Sequence, residues 1–494
     1  MKHTRFISIL LALLLTLPAL TACGQDAGTT PDTAGDTDTT ADTTVTVQET
    51  EPAYVYPEAD LGGRTLSVLN IDSYWGMHID LDVEETTGEA LNDAIYDRNR
   101  LVEEKFNFLL HDDKFVSNNN LGATTDAAKK EVQSGEDTHA ALYIRDDNLM
   151  NFHMENLLQD LSTLPQLHLD EAWWDANYNS VAQIGDSILG AAGDAHLMGY
   201  DSSWCVFFNE DILKNNGLDM PYDLAREGKW TFDKLNEYAN AVAQVDVTQA
   251  DWTNGGNAIY GMVTHPHAPD KFIFSMGNDY VTKTADGKLS FSIETEQFYG
   301  TVEKLVSLLA EKSVTLPGNS SDFSEDKGYV YAFMNSYAAF LTAEVKTANN
   351  IRDMEDTFGI LPFPKYDEAQ ESYRTPLMYG LLVMTIPTTN GHAEETAMVM
   401  DALAYESSQS VVPVYFDNTV AHKGLRNENS VEMLEIMKYS RSADIAVVYG
   451  WNSDLAATIQ SNVFAGKADA ASVVASKKTA ILTEIEEFTA LLGQ

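Results

Sequence analysis

The sequence predicts a large α/β protein built as two domains or as one two-lobed unit. Short apolar strands alternate with amphipathic helices over Arg64–Ile144, an order that favours a parallel sheet covered by helices. The chain has 494 residues, of which 44% are hydrophobic, so it can bury sizeable cores. After the first segment, no stretch reaches the roughly 18 apolar residues of a transmembrane helix, and the body is expected to stand in water.

The first residues have the composition of an export signal. A basic start precedes the apolar run Phe6–Leu20, which ends in Leu20-Thr21-Ala22-Cys23. A bilayer takes about 20 apolar residues to span, so we expect residues 1–22 to be a removable signal peptide. The four final residues resemble the bacterial lipobox, which implies lipid on Cys23 and anchoring to the outer face of the cell membrane. An ordinary secretory signal with an incidental cysteine is the alternative.

Residues 23–60 are expected to form a disordered, acidic linker. From Gly24 to about Pro57 the chain is rich in Thr, Asp, Ala, Gly and Glu, and its first aromatic side chain is Tyr54. Such a segment buries too little apolar surface to offset its ordering entropy. The whole chain carries a net charge of −44, with 31 basic and 75 acidic residues, which argues against nucleic acid as a partner.

The folded region begins with five elements in the order βαβαβ. The pattern predicts strands at Arg64–Asn70, Phe106–Leu110 and Ala140–Ile144, with helices over Leu91–Phe106 and near Thr125–Gln133.

Ligands of open α/β sheets collect beyond the carboxyl ends of the strands. Polar and aromatic residues stand at two such ends: Asp72, Tyr74 and Trp75 after the first strand, and Arg145, Asp146 and Asp147 after the third. Solvated turns and helix caps use the same residue types, so a structural role stays open for both segments.

The middle of the chain carries a further series of local signals. Val206–Phe208 is predicted to be a strand, and Glu210–Lys214 a short helix that ends at Asn216-Gly217. Thr231 is predicted to be the N-cap of the next helix.

These signals resemble the extracellular solute-binding proteins of ABC importers, family 1. Phe208-Asn209-Glu210-Asp211 and Thr231-Phe232-Asp233-Lys234-Leu235 are close variants of the Tyr-Asn-Lys-Asp and Thr-Trp-(Asp/Glu)-x-Leu motifs of that family. The likeness continues downstream over roughly 61–492, in the segments Ala338–Leu341, Phe358–Pro364, Tyr379–Leu382, Ala397–Leu403 and Ala475–Leu492.

The resemblance implies a periplasmic-binding-protein-like fold of class II, in which two lobes each hold a mixed sheet flanked by helices. The expected division is 61–201 plus 357–403 for the first lobe and 202–356 plus 404–494 for the second. The ligand cleft would lie between the lobes, and a solute would favour the closed form, which docks on the membrane permease. A monomer without cofactor, metal or catalytic residues is expected.

Sugar-binding members of the family imply contacts from both strand-end segments, from the first lobe crossing and from an aromatic residue near the C-terminal helices. Carboxylates bind hydroxyl groups, and aromatic faces cover the apolar face of a pyranose. Lobe packing is the alternative for the two tryptophans of the crossing and the C-terminal region, because large aromatic residues are usually buried. The expected ligand-binding residues are Asp72, Tyr74, Trp75, Arg145, Asp146, Asp147, Tyr200, Asp201, Trp204 and Trp451.

The chain departs from the sugar-binding pattern at one position. Many sugar binders have a tryptophan just after the strand matched by Ala338–Leu341, where this chain has Thr342-Ala343-Glu344-Val345. Glu344 could serve a different ligand or none.

The favoured function is therefore a lipid-anchored receptor that delivers a small solute, first of all a carbohydrate, to an ABC importer. A receptor for a peptide, polyamine or other cationic solute, held by Asp146, Asp147 and Asp201, is the second candidate. A surface glycan hydrolase or lyase is the third, although no motif marks a catalytic pair of carboxylates. His265 and His267 lack a third metal ligand at a recognisable spacing. Cys205 has apolar neighbours and is expected to be a buried, inert thiol.

Overall fold

The structure is a computed structural model that describes residues 54–492, except 119, 121, 253–255, 285–286, 321–322, 324–326 and 421–427. The chain from Tyr54 to Gln494 forms one compact unit. The expected signal peptide, the expected lipidation site Cys23 and the linker up to residue 53 lie outside the described residues. None of the described helices combines the length and the apolar character that crossing a membrane requires.

The described residues form thirteen strands, several of them only two or three residues long. In chain order they are β1 (Arg64–Ile71), β2 (Phe108–Phe115), β3 (Ala141–Arg145), β4 (Trp204–Asn209), β5 (Tyr260–Thr264), β6 (Val281–Lys283), β7 (Leu289–Phe291), β8 (Thr315–Leu316), β9 (Ala338–Glu344), β10 (Phe358–Pro362), β11 (Thr375–Pro376), β12 (Leu382–Thr385) and β13 (Arg441–Ser442).

Helices connect and flank these strands. The α-helices of the described residues are Ala90–Phe106, Ala123–Ser134, Leu149–Met154, Ala176–Ala182, Met198–Asp201, Glu210–Asn215, Tyr222–Arg226, Phe232–Val242, Ala268–Ser275, Glu296–Leu309, Tyr329–Met334, Thr347–Ile351, Ala393–Glu406, Val412–Val420, Glu428–Ser440, Ile445–Val448, Ser453–Phe464 and Ala470–Leu492. A π-helical turn at Ser407–Val411 joins two of them.

The first sheet has the strand order β12-β3-β1-β2. Strand β1 lies parallel to both β2 and β3, whereas β12 runs antiparallel to β3. The predicted βαβαβ order with a parallel core is therefore confirmed, and its helices lie at Ala90–Phe106 and Ala123–Ser134. We call the part of the chain around this sheet lobe 1.

The second sheet has the strand order β10-β4-β9-β5-β8. Strand β4 runs antiparallel to β10 and β9, and β5 is parallel to β9 and β8. Every residue of β4, β5, β9 and β10 is buried, as expected of strands covered on both faces. We call the part around this sheet lobe 2. Two mixed sheets flanked by helices agree with the predicted fold class.

The helix signals in the middle of the chain also agree with the structure. The Asn209 side chain accepts a hydrogen bond from the Ile212 N–H at 2.9 Å and caps the helix Glu210–Asn215. Gly217 follows that helix with a φ of 70°, a left-handed conformation that glycine adopts without steric cost. The Thr231 hydroxyl caps the helix Phe232–Val242 through the Lys234 N–H.

The chain crosses from one sheet to the other at positions that differ from the expected lobe boundaries. Phe358–Pro362 was placed in lobe 1, yet it pairs with β4 and forms the edge of the second sheet, because its backbone groups meet those of Cys205–Asn209. The chain returns to the first sheet only at β12. Within 404–494, Val411, Val412 and Tyr415 pack on Leu91 and Ile95 of lobe 1, where their apolar side chains form a separate small core.

The packed body also begins earlier than the expected end of the linker at residue 60. Tyr54 stacks on Tyr405 with ring centroids 4.5 Å apart and meets Trp173 edge to face at 5.6 Å. The Tyr56 hydroxyl donates a hydrogen bond to Glu406. These are the first aromatic side chains after the acidic stretch, and they bring enough apolar surface to hold this segment against the body.

Candidate functional site

A cavity of about 360 Å³ lies where lobe 1 and lobe 2 meet. Lobe 1 contributes the segment after β1 and the segment before β12. Lobe 2 contributes the start of β4, the ends of β5 and β9, and the helices Ala268–Ser275 and Tyr329–Met334. The C-terminal helices Ile445–Val448 and Ser453–Phe464 complete the lining. The parallel strands β5 and β9 end at the same edge of their sheet, which is where ligand sites form in α/β folds. Its lining residues are Trp75, Trp204, His265, His267, Asp270, Lys271, Tyr329, Glu344, Lys346, Met378, Tyr379, Val447, Asn452, Ser453, Ala456, Ala457 and Gln460.

The lobe 1 wall consists mainly of Trp75 and Tyr379, which are 54% and 42% exposed. Buried Tyr74 supports this wall by donating its hydroxyl hydrogen to the Gly380 carbonyl at 2.6 Å. Gly380 has a φ of 77°, and a Cβ there would lie 2.9 Å from the Arg145 guanidinium and 3.0 Å from the Tyr74 hydroxyl. Only glycine fits this position without displacing both side chains.

The lobe 2 wall is a cluster of rings around Trp204, which is 1% exposed. The His265 ring meets the Trp204 ring edge to face at 5.0 Å and the Tyr329 ring at 4.9 Å. Burial lowers the pKa of His265 to about 3, so this imidazole is neutral at ordinary pH. Among the described residues, no group of three or more His, Cys, Asp or Glu side chains is placed to hold a metal ion.

Two lysines and two carboxylates line the cavity. The Lys271 ammonium donates to the Leu377 carbonyl at 3.0 Å and lies 3.6 Å from Asp270. The Lys346 ammonium, on lobe 2, donates to the Trp75 carbonyl of lobe 1 at 2.7 Å. Burial lowers the pKa of Lys346, although Glu344 opposes that shift. The formal charges of the wall therefore sum to zero.

Neither a protein-family model nor a curated protein sequence matches the chain. Solved structures do match it. A sugar transporter from Rhizobium etli in an open conformation is 14% identical, with a TM-score of 0.56 over 84% of this chain and 98% of that one. The maltose-binding protein MalE from Listeria monocytogenes, in complex with maltose, is 12% identical, with a TM-score of 0.55 over 86% and 98%.

An ABC substrate-binding protein from Listeria monocytogenes in complex with cycloalternan also matches. It is 12% identical, with a TM-score of 0.51 over 87% of this chain and 99% of that one. The chain has the fold of the substrate-binding proteins of ABC importers. In this substrate-binding-protein fold, the two mixed sheets belong to two lobes, and the cavity lies where the lobes meet.

Of the ten expected ligand-binding residues, Trp75 and Trp204 line the cavity. Tyr74, Arg145 and Asp147 stand behind it: Arg145 lies 5.2 Å from the centre of the Tyr379 ring and pairs with Asp147. These three side chains hold the lobe 1 wall of the substrate-binding-protein fold in place.

Asp72 and Asp146 have structural partners instead. Asp72 accepts a hydrogen bond from the Ser117 N–H at 3.1 Å, which lowers its pKa and holds the loop after β2. Asp146 is buried and accepts from the Tyr178 hydroxyl at 3.0 Å and the Asp147 N–H at 2.8 Å. Burial raises the pKa of Asp146 well above its ordinary value.

Tyr200 and Asp201 lie in the crossing between the lobes but do not reach the cavity. The Tyr200 hydroxyl donates to Asp194 at 2.8 Å, and its ring lies 4.0 Å from the Arg441 guanidinium. Asp201 is fully buried and accepts from the Tyr415 hydroxyl at 2.8 Å and the His78 N–H at 2.5 Å. Both residues therefore stabilise the crossing.

Trp451 is packed rather than open to the cavity. It is 3% exposed, stacks on Tyr449 at 5.1 Å and meets Phe488 at 5.8 Å. Its indole N–H points to the Met150 sulfur at 3.4 Å, which places lobe 1 against the C-terminal region. Its neighbours Asn452 and Ser453 line the cavity in its place.

Several cavity residues had no sequence signal that pointed to them. Tyr329 and Lys271 lie on the short helices Tyr329–Met334 and Ala268–Ser275, and only the fold brings them beside Trp204. Glu344 did carry a signal, because the family resemblance predicts a tryptophan in this segment, where the chain has Thr342-Ala343-Glu344-Val345. The two histidines 265 and 267 were also visible as a polar pair after a strand.

The contact between His78 and Asp201 predicts a pH dependence of stability. The hydrogen bond with Asp201 raises the pKa of His78 above its ordinary 6.5, so the folded state favours the charged ring. This stabilisation is fully present below pH 6.5 and is lost as the pH rises through the raised pKa of the folded state. Urea unfolding from about pH 5.5 to 9 should therefore show that the advantage of the wild type over His78→Gln shrinks with rising pH. A constant or growing advantage would contradict this role.

Proposed function

We propose that this protein captures a carbohydrate outside the cell and delivers it to the permease of an ABC importer. The observation that carries the proposal is the cavity between the lobes, where aromatic rings from both sides enclose a few polar groups. Its volume of about 360 Å³ falls within the range of about 300–1,000 Å³ that is usual for small-molecule sites.

The chemistry of the walls suits a sugar. Trp75 and Tyr379 on one side and Tyr329 on the other offer flat faces that can cover the apolar face of a pyranose, and buried Trp204 lies behind the second side. Glu344 and the other polar lining groups can bind hydroxyl groups between those faces. Structures with this fold hold maltose and cycloalternan, which supports a carbohydrate as the solute.

A change in the angle between the lobes would couple binding to delivery. The Lys346 ammonium and the Trp75 carbonyl join the two sides of the cavity at 2.7 Å. A solute that contacts both lobes binds this arrangement better than an opened one and shifts the population toward it. The permease would then recognise the closed form.

The acidic loops do not favour a cationic solute. Asp146 and Asp201, which were candidate anchors for a polyamine or peptide, are buried and already accept hydrogen bonds from neighbouring side chains. Asp147 pairs with Arg145.

The protein is proposed to bind its solute without catalysing a reaction, since no sequence motif marks a catalytic pair of carboxylates.

The place of action rests on the N-terminal sequence. We propose that residues 1–22 direct export, that Cys23 carries the lipid, and that the acidic linker separates the anchor from the folded body. Delivery requires that the protein stay close to a permease in the same membrane. The lipid anchor would keep it there and so take part in the transport function.

A thermal-shift screen followed by product analysis tests the proposal. The protein is mixed with neutral oligosaccharides, peptides and polyamines, and a ligand at 100 times its Kd should add about 2.7 kcal/mol to the free energy of unfolding. We expect neutral oligosaccharides to raise the Tm and to be recovered intact. A processed glycan would indicate an enzyme. If only polyamines or only peptides raised the Tm, the solute would belong to that class and not to the carbohydrates.

A further inference from the structure

Glu344 and Trp204 form one cross-strand pair at the base of the cavity. They stand directly opposite each other in the antiparallel pairing of β4 with β9. Opposed residues of such a pair lie on the same face of the sheet, with Cβ atoms about 4.5–5.5 Å apart. Both line the cavity, so a carboxylate is placed beside an indole face.

The Glu344 carboxylate has no hydrogen-bond donor among the described residues, although the residue is only 8% exposed. Burying a carboxylate that accepts no hydrogen bond is costly, and Glu344 borders the cavity. Asp270 differs, because the Tyr280 hydroxyl donates to it at 2.9 Å and Lys271 lies 3.6 Å away. Glu344 is therefore the acidic lining residue that is ready to accept new hydrogen bonds.

The charges around Glu344 indicate which kind of donor fits. Lys271 and Lys346 already donate to the carbonyls of Leu377 and Trp75, and they offset the two carboxylates of the wall. An amino sugar would bring a positive charge that the wall does not offset. A uronate would bring a negative charge next to Glu344. A neutral hydroxyl donates to the carboxylate and leaves the charges balanced.

We propose that Glu344 is the specificity-determining residue of this cavity. It accepts hydrogen bonds from two adjacent hydroxyl groups of a neutral sugar unit that lies beside Trp204 and the Tyr329 ring. The inference rests on the proposed carbohydrate function. Glu344 selects neutral units and disfavours uronates and amino sugars.

Titration calorimetry of the full chain with three probes tests the inference. The probes are the neutral oligosaccharide that stabilises best in the screen, digalacturonate and the glucosamine disaccharide. Hydrogen bonds to a charged group contribute enough that Glu344→Ala should weaken binding of the neutral probe about 10- to 100-fold. Glu344→Gln keeps one acceptor and should lose less. Asp353→Asn, at an 89% exposed side chain outside the cavity, is the matched control and should bind like the wild type.

The outcomes separate this inference from the function itself. Urea unfolding should show that Glu344→Ala folds, since no partner in the described structure loses a hydrogen bond. Unchanged binding of the neutral probe by Glu344→Ala, or tighter wild-type binding of digalacturonate or the glucosamine disaccharide, would overturn the role of Glu344 and leave a carbohydrate receptor. Failure of all sugars to bind the wild type would overturn the proposed function, and the inference with it.

Discussion

The Trp75→Ala variant is expected to bind the carbohydrate about 30-fold more weakly than the wild type, a loss of about 2 kcal/mol. Trp75 is the main aromatic side chain that lobe 1 offers to the cavity, and 54% of it is exposed. Its removal takes away the face that covers one side of the sugar. The backbone contact from Lys346 to the Trp75 carbonyl does not depend on the side chain and is expected to persist.

Stability separates a binding role of Trp75 from a structural one. An exposed side chain contributes little to folding, so the free energy of unfolding should change by less than about 0.5 kcal/mol. Tyr439→Ala is the matched control, because Tyr439 is a 74% exposed aromatic residue that does not line the cavity. Equal affinities for Trp75→Ala, Tyr439→Ala and the wild type would place the sugar elsewhere.

Trp451→Ala is expected to have the opposite profile, with a loss of about 3–5 kcal/mol in the free energy of unfolding. The indole is 3% exposed and packs against both Tyr449 and Phe488, so its removal leaves a cavity in the core. The change in binding free energy of the folded variant should stay below about 1 kcal/mol, because the side chain does not line the sugar cavity. Denaturant unfolding and calorimetry below the Tm measure the two quantities.

Trp451→Phe serves as the control for this second variant. Phenylalanine keeps most of the ring contacts, so it should recover most of the stability that alanine loses. A Trp451→Ala variant that folds as stably as the wild type and fails to bind sugar would show that Trp451 contacts the ligand.

The fold could be predicted from the sequence because its strands and helices carry strong local patterns. The apolar run Arg64–Asn70 and the helix before Phe106 were identified with boundaries close to those observed. The sheet to which Phe358–Pro362 belongs was not predicted correctly. The segment was identified only by its likeness to the family, and its partner β4 lies about 150 residues earlier in the chain, a pairing that local pattern does not encode.

The site was predictable only where a local motif coincided with the cavity. Trp75 follows a strand end and Trp204 begins one, and both line the cavity. Asp146 and Asp201 are aspartates, a residue type common in ligand sites. In the structure they bind Tyr178, His78 and Tyr415 instead, and these partners come from distant segments of the chain. A sequence without a fold cannot tell a buried structural carboxylate from one that faces a solute.

Glu344 shows that a sequence reveals neither strand pairing nor the surroundings of a side chain. The sequence shows that an expected tryptophan is missing, but it does not show what the glutamate faces. The pairing of β9 with β4 places Glu344 opposite Trp204, so an indole comes from the neighbouring strand. A site without the expected tryptophan is thus compatible with sugar binding in which a glutamate replaces it as the contact from this strand.

The solute is expected to lie between Trp75 of lobe 1 and the pair of Trp204 and Glu344 in lobe 2. A crystal structure of the protein with the best-stabilising neutral oligosaccharide tests it most directly. We expect a sugar ring beside Trp204, with two adjacent hydroxyl groups within hydrogen-bonding distance of the Glu344 carboxylate and with Trp75 covering the apolar face of the ring. A sugar bound away from this cavity, or an empty cavity in protein that calorimetry shows to be saturated, would contradict it.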